Sequence, residues 1–526
     1  MKRVHVLAGT AVLAFCAASA FWLWSVSPRS VSPQAAAPRT PSPERVNANA
    51  GAALAPVFEA EKIDDPMQRC LAYPALPNAH WSRTMIEAFC ADKLTPTLTW
   101  DEFENAIDQG KAAELDARLD AMVEGYFAQR VSEGALQHAY SDTFWTSSAR
   151  LKNLLERWLA ASPKSAHALV AHGIYELAQA SEARGEDTIA NTPVKNLERM
   201  QKRLVKARAD LEQAITINAR IMPAYAHLIY VAKLDSDDAL AEETMRKAIS
   251  VDPATYYSRA ELMGKYEPRW GGSYEAMDRL AASSAPLAAK NPRMANLKAM
   301  ALAARGLSSY WAKDYATALT HFDKGLAEGP VRFYLDLATY AASQAGDHEK
   351  AVEFASQVLR FFPQDSNVRL GRAYGLMQIG RYDWAETDLR RALDTNPTDI
   401  KTLRSYADLS MRRGDNAAAE ARLKAILVLD PADDWATRSL AWLYAHRMSR
   451  LDDAVALIDA RLKEQPESGA LWLVKVRTFD SVDEGPRMRE AVENFLRFAD
   501  EKSDEQRSAV PIAKHWLAAH PATSTP

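Results

Sequence analysis

Three prolines that recur at a fixed interval constrain the fold of this chain more than any other sequence feature. Pro363, Pro397 and Pro431 lie 34 residues apart (397−363 and 431−397). Each follows an alanine by 12 residues (363−351) and is preceded by a glycine; the alanines are Ala351, Ala385 and Ala419, and the glycines are Gly346, Gly380 and Gly414. The alanine lets two helices approach, the glycine breaks the chain between helices, and the proline ends one unit. The interval therefore predicts stacked helix-turn-helix repeats.

The same register extends in both directions with less regularity. The 12-residue step from alanine to proline recurs at Ala241–Pro253, Ala318–Pro330 and Ala454–Pro466, and weaker copies end at Pro163 and Pro292. The small and aromatic positions are filled by Ala373, Leu376, Ala385 and Leu389, and again by Leu440, Ala441, Tyr444 and Ala454. This pattern resembles the tetratricopeptide repeat. The resemblance implies an all-α, right-handed superhelical array of about nine helix pairs with a concave binding groove.

An apolar run near the amino end predicts a membrane segment. Lys2 and Arg3 precede residues 4–26, which are apolar apart from His5, small residues and hydroxyls. A helix of this length would span about 34 Å, enough for a bilayer core of about 30 Å. The preceding basic residues favour an anchor in a bacterial inner membrane with the remainder of the chain in the periplasm. The alternative is a signal peptide cleaved at Ala18-Ser19-Ala20, which would leave a soluble periplasmic protein.

Changes in composition divide the chain into six predicted segments. These are residues 1–26, a signal anchor or signal peptide; 27–57, a disordered linker rich in Pro, Ala and Ser; 58–140, a helical block; 141–298, degenerate repeats; 299–468, regular repeats; and 469–520, a helix pair with a capping helix. Lys and Arg number 64 against 68 Asp and Glu, and no basic block follows a phosphate backbone, so we expect no nucleic-acid partner.

Two cysteines, Cys70 and Cys90, lie outside the apolar run. In an oxidising periplasm an isolated pair predicts a disulfide bond, and two unrelated buried thiols are the alternative. Closing a loop of about 20 residues would contribute roughly 3 kcal/mol. Because no further cysteine or histidine cluster supplies ligands at a suitable spacing, we expect no metal or other cofactor.

Two blocks do not fit a plain repeat. The first carries the short motifs at 70–74, 80–81 and 89–90, and the second is Glu267-Pro268-Arg269-Trp270-Gly271-Gly272-Ser273. Together with residues 158–163 and 183–185, they make residues 60–300 resemble an uncharacterised bacterial family that joins a domain of unknown function to tetratricopeptide repeats. This resemblance implies no known activity.

Motifs typical of enzymes do not occur in the sequence: there is no nucleophile elbow, phosphate loop, dinucleotide fingerprint or zinc helix. We therefore expect no enzymatic activity. The loop of Trp270, Gly271, Gly272 and Ser273 favours a sharp turn between helices in which Trp270 packs, and a ligand-contacting loop is the alternative. His172 and Glu176 share a helix face without a third ligand, which favours a structural pair.

The groove lined by the first helix of each pair is the expected functional surface. By repeat position it should include Tyr310, Phe333, Asp336, Tyr340, Tyr374, Met377, Lys401, Arg404, Asp408, Trp435, Arg438 and Trp442. Aromatic residues and arginines anchor interfaces when they are desolvated. The sequence thus predicts an extracytoplasmic scaffold that binds protein or peptide partners during assembly or maintenance of an envelope complex. The alternatives are an enzyme or small-ligand module within 58–300, and a structural protein that self-associates into a homo-oligomer.

Overall fold

The structure, a computed structural model, describes residues 54–95, 97–185, 191–479 and 485–521. Every regular element in these ranges is a helix, which confirms the predicted all-α class for this part of the chain. The described helices form two compact units, one before and one after the boundary between Pro363 and Gln364. The predicted segment boundaries and superhelical hand stay predictions.

The first unit contains eighteen α-helices and four short 3₁₀ turns within its described residues. The helices are α1 (Ala55–Ala60), α2 (Pro66–Ala72), α3 (Arg83–Leu94), α4 (Trp100–Asp108), α5 (Ala112–Phe127), α6 (Glu133–Phe144), α7 (Ala149–Ala161), α8 (Ala166–Arg184), α9 (Val194–Ile217), α10 (Met222–Asp235), α11 (Asp238–Val251), α12 (Tyr257–Lys265), α13 (Tyr274–Ser284), α14 (Asn296–Ala303), α15 (Leu307–Trp311), α16 (Tyr315–Glu328), α17 (Arg332–Gln344) and α18 (His348–Phe361). The 3₁₀ turns are Pro268–Trp270, Ala285–Ala289, Pro292–Ala295 and Ala304–Gly306.

The second unit contains nine helices within its described residues. They are α19 (Ser366–Gln378), α20 (Tyr382–Thr395), α21 (Ile400–Arg413), α22 (Asn416–Leu429), α23 (Asp434–Arg447), α24 (Leu451–Glu464), α25 (Gly469–Phe479), α26 (Gly485–Phe498) and α27 (Asp504–Ala519). Consecutive helices from α19 to α26 pack as pairs, and α27 packs against α25 and α26.

The repeat boundaries follow from local backbone chemistry. Gly346, Gly380 and Gly414 adopt φ values of +82°, +74° and +76°, which a residue with a β-carbon rarely adopts, and each lies between the two helices of a pair. The prolines of the register fall between pairs, where no helix continues. These observations confirm the predicted helix-turn-helix units.

Aspartates begin many of these helices. Their carboxylates accept a hydrogen bond from the backbone N–H three residues later, at 2.8 to 3.2 Å. The capping residues are Asp314, Asp347, Asp365, Asp399, Asp415 and Asp433. Each such cap contributes about 1 kcal/mol, because it satisfies a backbone donor that has no partner within the helix.

Each unit buries its own hydrophobic core. In the first unit, one large cluster joins α4 to α12 and centres on aromatic side chains such as Phe103, Phe144 and Trp158. In the second, a cluster runs from α21 to α27 through the alanines of the register. No described helix combines the length and apolarity needed to cross a bilayer, and the predicted segment 4–26 lies outside the described residues.

Candidate functional site

The predicted groove residues of the first unit differ in exposure: the tyrosines are partly exposed, whereas the Phe333 side chain is buried. Tyr310, Tyr315 and Tyr340 surround one another, with ring centroids 5.8 to 6.1 Å apart. Burial raises the pKa of Tyr310, so its hydroxyl stays protonated. Phe333 is only 8% exposed and therefore packs inside the unit rather than facing a partner. Asp336 accepts a hydrogen bond from Arg332 at 2.7 Å.

The groove residues of the second unit lie mainly on α21 and α23. Arg404 donates to Asp433 through Nε at 3.0 Å, and its Cζ lies 6.0 Å from the Trp435 ring. Arg438 reaches Glu505 at 3.5 Å. The Trp442 ring lies 5.6 Å from His446. These side chains are half-buried and held by their neighbours, so the face is partly ordered before any partner arrives.

The remaining predicted groove residues of the second unit differ in exposure. Tyr374 and Lys401 are exposed, and Asp408 is half-buried and accepts from Arg412 Nε at 2.9 Å. Met377 is 2% exposed. Met377, like Phe333, is therefore buried in the core and does not line an open groove. Repeat position alone does not distinguish these buried residues from exposed ones, because one helix face serves both neighbouring helices and solvent.

The Trp270 loop is a turn between α12 and α13. Residues 268–270 form a 3₁₀ turn, Gly271 adopts φ +86°, and Ser273 caps α13 by accepting from Ala276 N at 3.2 Å. The Trp270 ring packs beneath two cations, with Arg184 Cζ 5.5 Å and Lys233 Nζ 5.8 Å from its centroid. The turn therefore brings α8 and α10 into one polar cluster.

The cysteine-bearing block, residues 66–94, is hydrogen-bonded to helices that are distant in sequence. Cys70 and Cys90 are joined by a disulfide bond and are fully buried. Arg360 Nε donates to the Cys70 carbonyl at 2.7 Å, and Trp81 Nε1 donates to the Leu326 carbonyl at 2.8 Å. Residues 66–94 therefore cover the surface of α16 and α18.

A buried polar network, which sequence reasoning missed, fixes the same block from the other side. Arg293 Nη1 donates to Asp92 at 2.7 Å, and Tyr257 Oη donates to it at 2.8 Å. Burial alone would raise the pKa of Asp92, but Arg293 and the other cations beside it hold that pKa well below its usual range. Close by, Glu133 accepts the backbone N–H groups of Tyr256 and Tyr257, and burial raises its pKa. Gly134 was the available sequence signal, because a β-carbon there would overlap the Asp92 carboxylate.

The other polar motifs are held in structural contacts. His172 Nδ1 lies 2.7 Å from an Asp210 carboxylate oxygen, and Glu176 accepts from Arg203 at 2.9 Å. Within the described ranges, no group of three or more His, Cys, Asp or Glu side chains is placed to hold a metal. The observed contacts of His172 and Glu176 are those of an edge-of-core pair.

Antiparallel helix pairs on a 34-residue period, with a left-handed glycine at the internal turn and a buried alanine on the second helix, decide the fold of the regular repeats. They fold as tetratricopeptide repeats do. No known family profile and no curated protein matches this chain. Its resemblance over residues 60–300 to a domain-of-unknown-function family stays a prediction.

Several solved structures resemble this tetratricopeptide-repeat chain at low identity. A tetratricopeptide repeat protein from Parabacteroides merdae is 17% identical with a TM-score of 0.32, over 56% of this chain and 98% of that chain. The APC/C hetero-tetramer Cut9–Hcn1 gives 12% identity and a TM-score of 0.30, over 82% of this chain and 90% of that chain. The structure of Naa15/Naa10 bound to HypK-THB gives 14% identity and a TM-score of 0.25, over 77% of this chain and 55% of that chain.

Proposed function

We propose that this tetratricopeptide-repeat protein is a periplasm-facing scaffold that binds protein or peptide partners in the assembly or maintenance of an envelope complex. The observation that carries the proposal is the face formed by Arg404, Trp435, Arg438 and Trp442 in the second unit, hereafter the α21–α23 face. These residue types dominate binding energy where interfaces have been scanned. A repeat stack offers such residues along an extended surface rather than in a closed pocket.

Preorganisation supports this assignment of the α21–α23 face. Arg404 is held by Asp433 and lies beside the Trp435 ring, so a partner would not have to order it on binding. Ordering a long side chain costs about 0.5 to 1.5 kcal/mol on association. Because that cost is already met in the free protein, a modest peptide contact area could yield stable binding.

The periplasmic location rests on two features. Residues 4–26 have the length and apolarity of a membrane segment, and Lys2 and Arg3 favour export of the chain beyond that segment. Cys70 and Cys90 form a buried disulfide, a bond that persists in oxidising compartments. Protease treatment of intact spheroplasts should degrade the folded part of the chain. Full protection in spheroplasts, with cleavage only after lysis, would place it in the cytoplasm instead.

Site-specific photocrosslinking tests the α21–α23 face directly. A photoreactive phenylalanine at Trp442 should capture a discrete set of envelope proteins in living cells. The matched control is Val428, which is 81% exposed. It lies on α22, the second helix of its pair, and therefore outside the predicted groove. If both positions capture the same proteins, or Trp442 captures none, the assignment of this face is wrong. The double substitution Trp435→Ala with Arg438→Ala should lower recovery of those proteins at least tenfold, since a hot-spot residue contributes about 2 kcal/mol or more.

The block of residues 58–300 carries the second candidate function, small-ligand binding. One observation favours it. Arg269 and Trp270, in the turn between α12 and α13, have buried donors that lack acceptors. This turn belongs to the first unit and shares no residue with the α21–α23 face.

A further inference from the structure

The turn formed by Glu267–Ser273 contains three buried hydrogen-bond donors without acceptors. They are Nη1 and Nη2 of Arg269 and Nε1 of Trp270. The Arg269 side chain is 9% exposed, and its Nε is already bonded to Glu267. Among the described arginines, Arg269 is the one with both Nη atoms buried and unpartnered. A buried donor without an acceptor loses the hydrogen bond that water would give it, so binding of an acceptor is favoured here.

Several buried charged side chains surround the turn. Three cations, Arg184, Lys233 and Arg269, and two carboxylates, Glu261 and Glu267, are all buried. Lys233 reaches Glu261 at 3.3 Å and Arg269 pairs with Glu267. In the described part of the chain no carboxylate pairs with Arg184, whose Nη1 donates only to the Gly185 carbonyl at 3.2 Å. A negatively charged group beside these cations would be stabilised by them, more strongly at a buried site than in water.

The two unpartnered nitrogens of Arg269 indicate which kind of acceptor they would bind. Because Glu267 occupies Nε, the remaining Nη1 and Nη2 form the end of the guanidinium fork, which matches the two oxygens of one carboxylate. The surroundings are aromatic, since Arg269 Cζ lies 5.6 Å from the Phe333 ring and the next residue is Trp270. Tyr334 Oη donates to Glu267 at 3.3 Å. Aromatic walls favour an organic acid over inorganic phosphate.

We propose that the turn at Glu267–Ser273 is a binding site for a small organic carboxylate with an apolar body. Its two oxygens accept from Nη1 and Nη2 of Arg269, and the indole N–H of Trp270 supplies a further donor. The site joins α8, α10 and α12 to α17 within the first unit and uses none of the residues of the α21–α23 face. It is therefore independent of the proposed scaffold function.

Entry requires the turn to move, because the free donors are sealed from solvent. Gly271 adopts φ +86°, and a β-carbon on Gly272 would come within 2.2 Å of the Tyr266 carbonyl oxygen. Because neither glycine carries a β-carbon, the backbone of this segment can adopt angles that other residues rarely reach. We expect association to be slower than the 10⁵–10⁷ M⁻¹s⁻¹ typical of binding that needs no rearrangement.

The test uses the folded full-length protein and a matched pair of probes, N-acetylphenylalanine and N-acetylphenylalaninamide. The acid should bind saturably by calorimetry and raise the melting temperature, because a ligand stabilises the state that binds it. The amide, which lacks the charge, should bind at least tenfold more weakly. Equal binding of acid and amide, or no saturable binding of the acid, would overturn the proposal. Inorganic phosphate should not displace the acid; full displacement would show a general anion site and equally overturn it.

Three variants localise the effect. Trp270→Phe keeps an aromatic ring and removes one donor, and should weaken the acid about tenfold, the effect of a charge-assisted hydrogen bond. Arg269→Lys keeps the charge but loses the two parallel N–H donors of the guanidinium, and should weaken binding of the acid further. Arg305→Lys, at the partly exposed pair with Asp278, is the control and should bind like the parent. If Arg269→Lys fails to fold, Trp270→Phe still decides: unchanged affinity for the acid in that variant would refute the site.

Discussion

Helices α18 and α22 occupy the same place in the repeat register, since their first residues are 68 positions apart (416−348), yet they present different surfaces. Ten of the 14 residues of α18 are buried, against three of the 14 in α22. Near the end of α18, Arg360 and Phe361 contact the disulfide-bonded block, whereas the equivalent Val428 and Leu429 are 81% and 43% exposed. A tetratricopeptide helix thus becomes a core element or a surface element according to what another part of the chain places on it.

The largest effect should come from Gly134 on α6, which packs against Asp92 in the cysteine-bearing block. A β-carbon there would sit 1.4 Å from an Asp92 carboxylate oxygen, so Gly134→Ala must displace a buried ion pair. We expect a loss of at least about 3 kcal/mol in unfolding free energy, the cost of breaking a buried pair. Gly371→Ala on α19 is the matched control in the second unit, because no atom lies within 4 Å of its β-carbon. There a gain of about 0.5 to 1 kcal/mol is expected in denaturant titrations. Equal effects at the two glycines would contradict the described packing.

Removing the disulfide should loosen α18 while leaving α22 unchanged. Cys70→Ser with Cys90→Ser should cost roughly 3 kcal/mol, because the unfolded chain regains the freedom of a loop of about 20 residues. Hydrogen exchange followed by mass spectrometry should show faster exchange in residues 66–94 and in α18, with α22 as the internal control. Faster exchange in both helices alike would show that the block does not protect α18 selectively.

Acid should weaken the first unit through His227. Burial lowers the pKa of this histidine to about 4, although the Pro223 carbonyl, 2.7 Å from its Nδ1, opposes the shift. Because the unfolded state binds a proton near the usual pKa of about 6.5, stability contributed by the neutral side chain is lost as pH falls from about 6.5 to 4, by up to about 3 kcal/mol. His227→Gln should flatten this part of the pH dependence. An unchanged slope in urea titrations of that variant would show that other groups cause it.

Exchanging the register-equivalent residues gives the most direct test of the comparison. Arg360 is buried, its pKa is lowered by burial to about 10, and it donates to the Cys70 carbonyl. Arg360→Val should cost about 2 kcal/mol, because a buried carbonyl loses its donor. Val428→Arg should change stability by less than about 0.5 kcal/mol, as is usual at exposed positions. A large cost at Val428, or none at Arg360, would mean that the two surfaces are not as different as the structure shows.

The helical units could be predicted because their signals are local. Gly346, Gly380 and Gly414 mark turns through their own backbone freedom, and a proline ends a unit whatever surrounds it. Predicting the groove was harder. Phe333 and Met377 occupy positions that repeat grammar assigns to the groove, but both are buried, because neighbouring side chains decide how much of a helix face stays open. No local pattern reports the size of those neighbours.

The sequence by itself determined the all-α class, the 34-residue helix pairs and the presence of one isolated cysteine pair, since each depends on residues close together or on simple counting. Only the tertiary structure decided that residues 66–94 lie on α16 and α18, that Asp92 meets Arg293 across 201 positions, and that two nitrogens of Arg269 are buried without an acceptor. The physical reason is that burial and charge pairing arise between segments distant in the chain, where one contact's stability depends on the shape of everything packed around it.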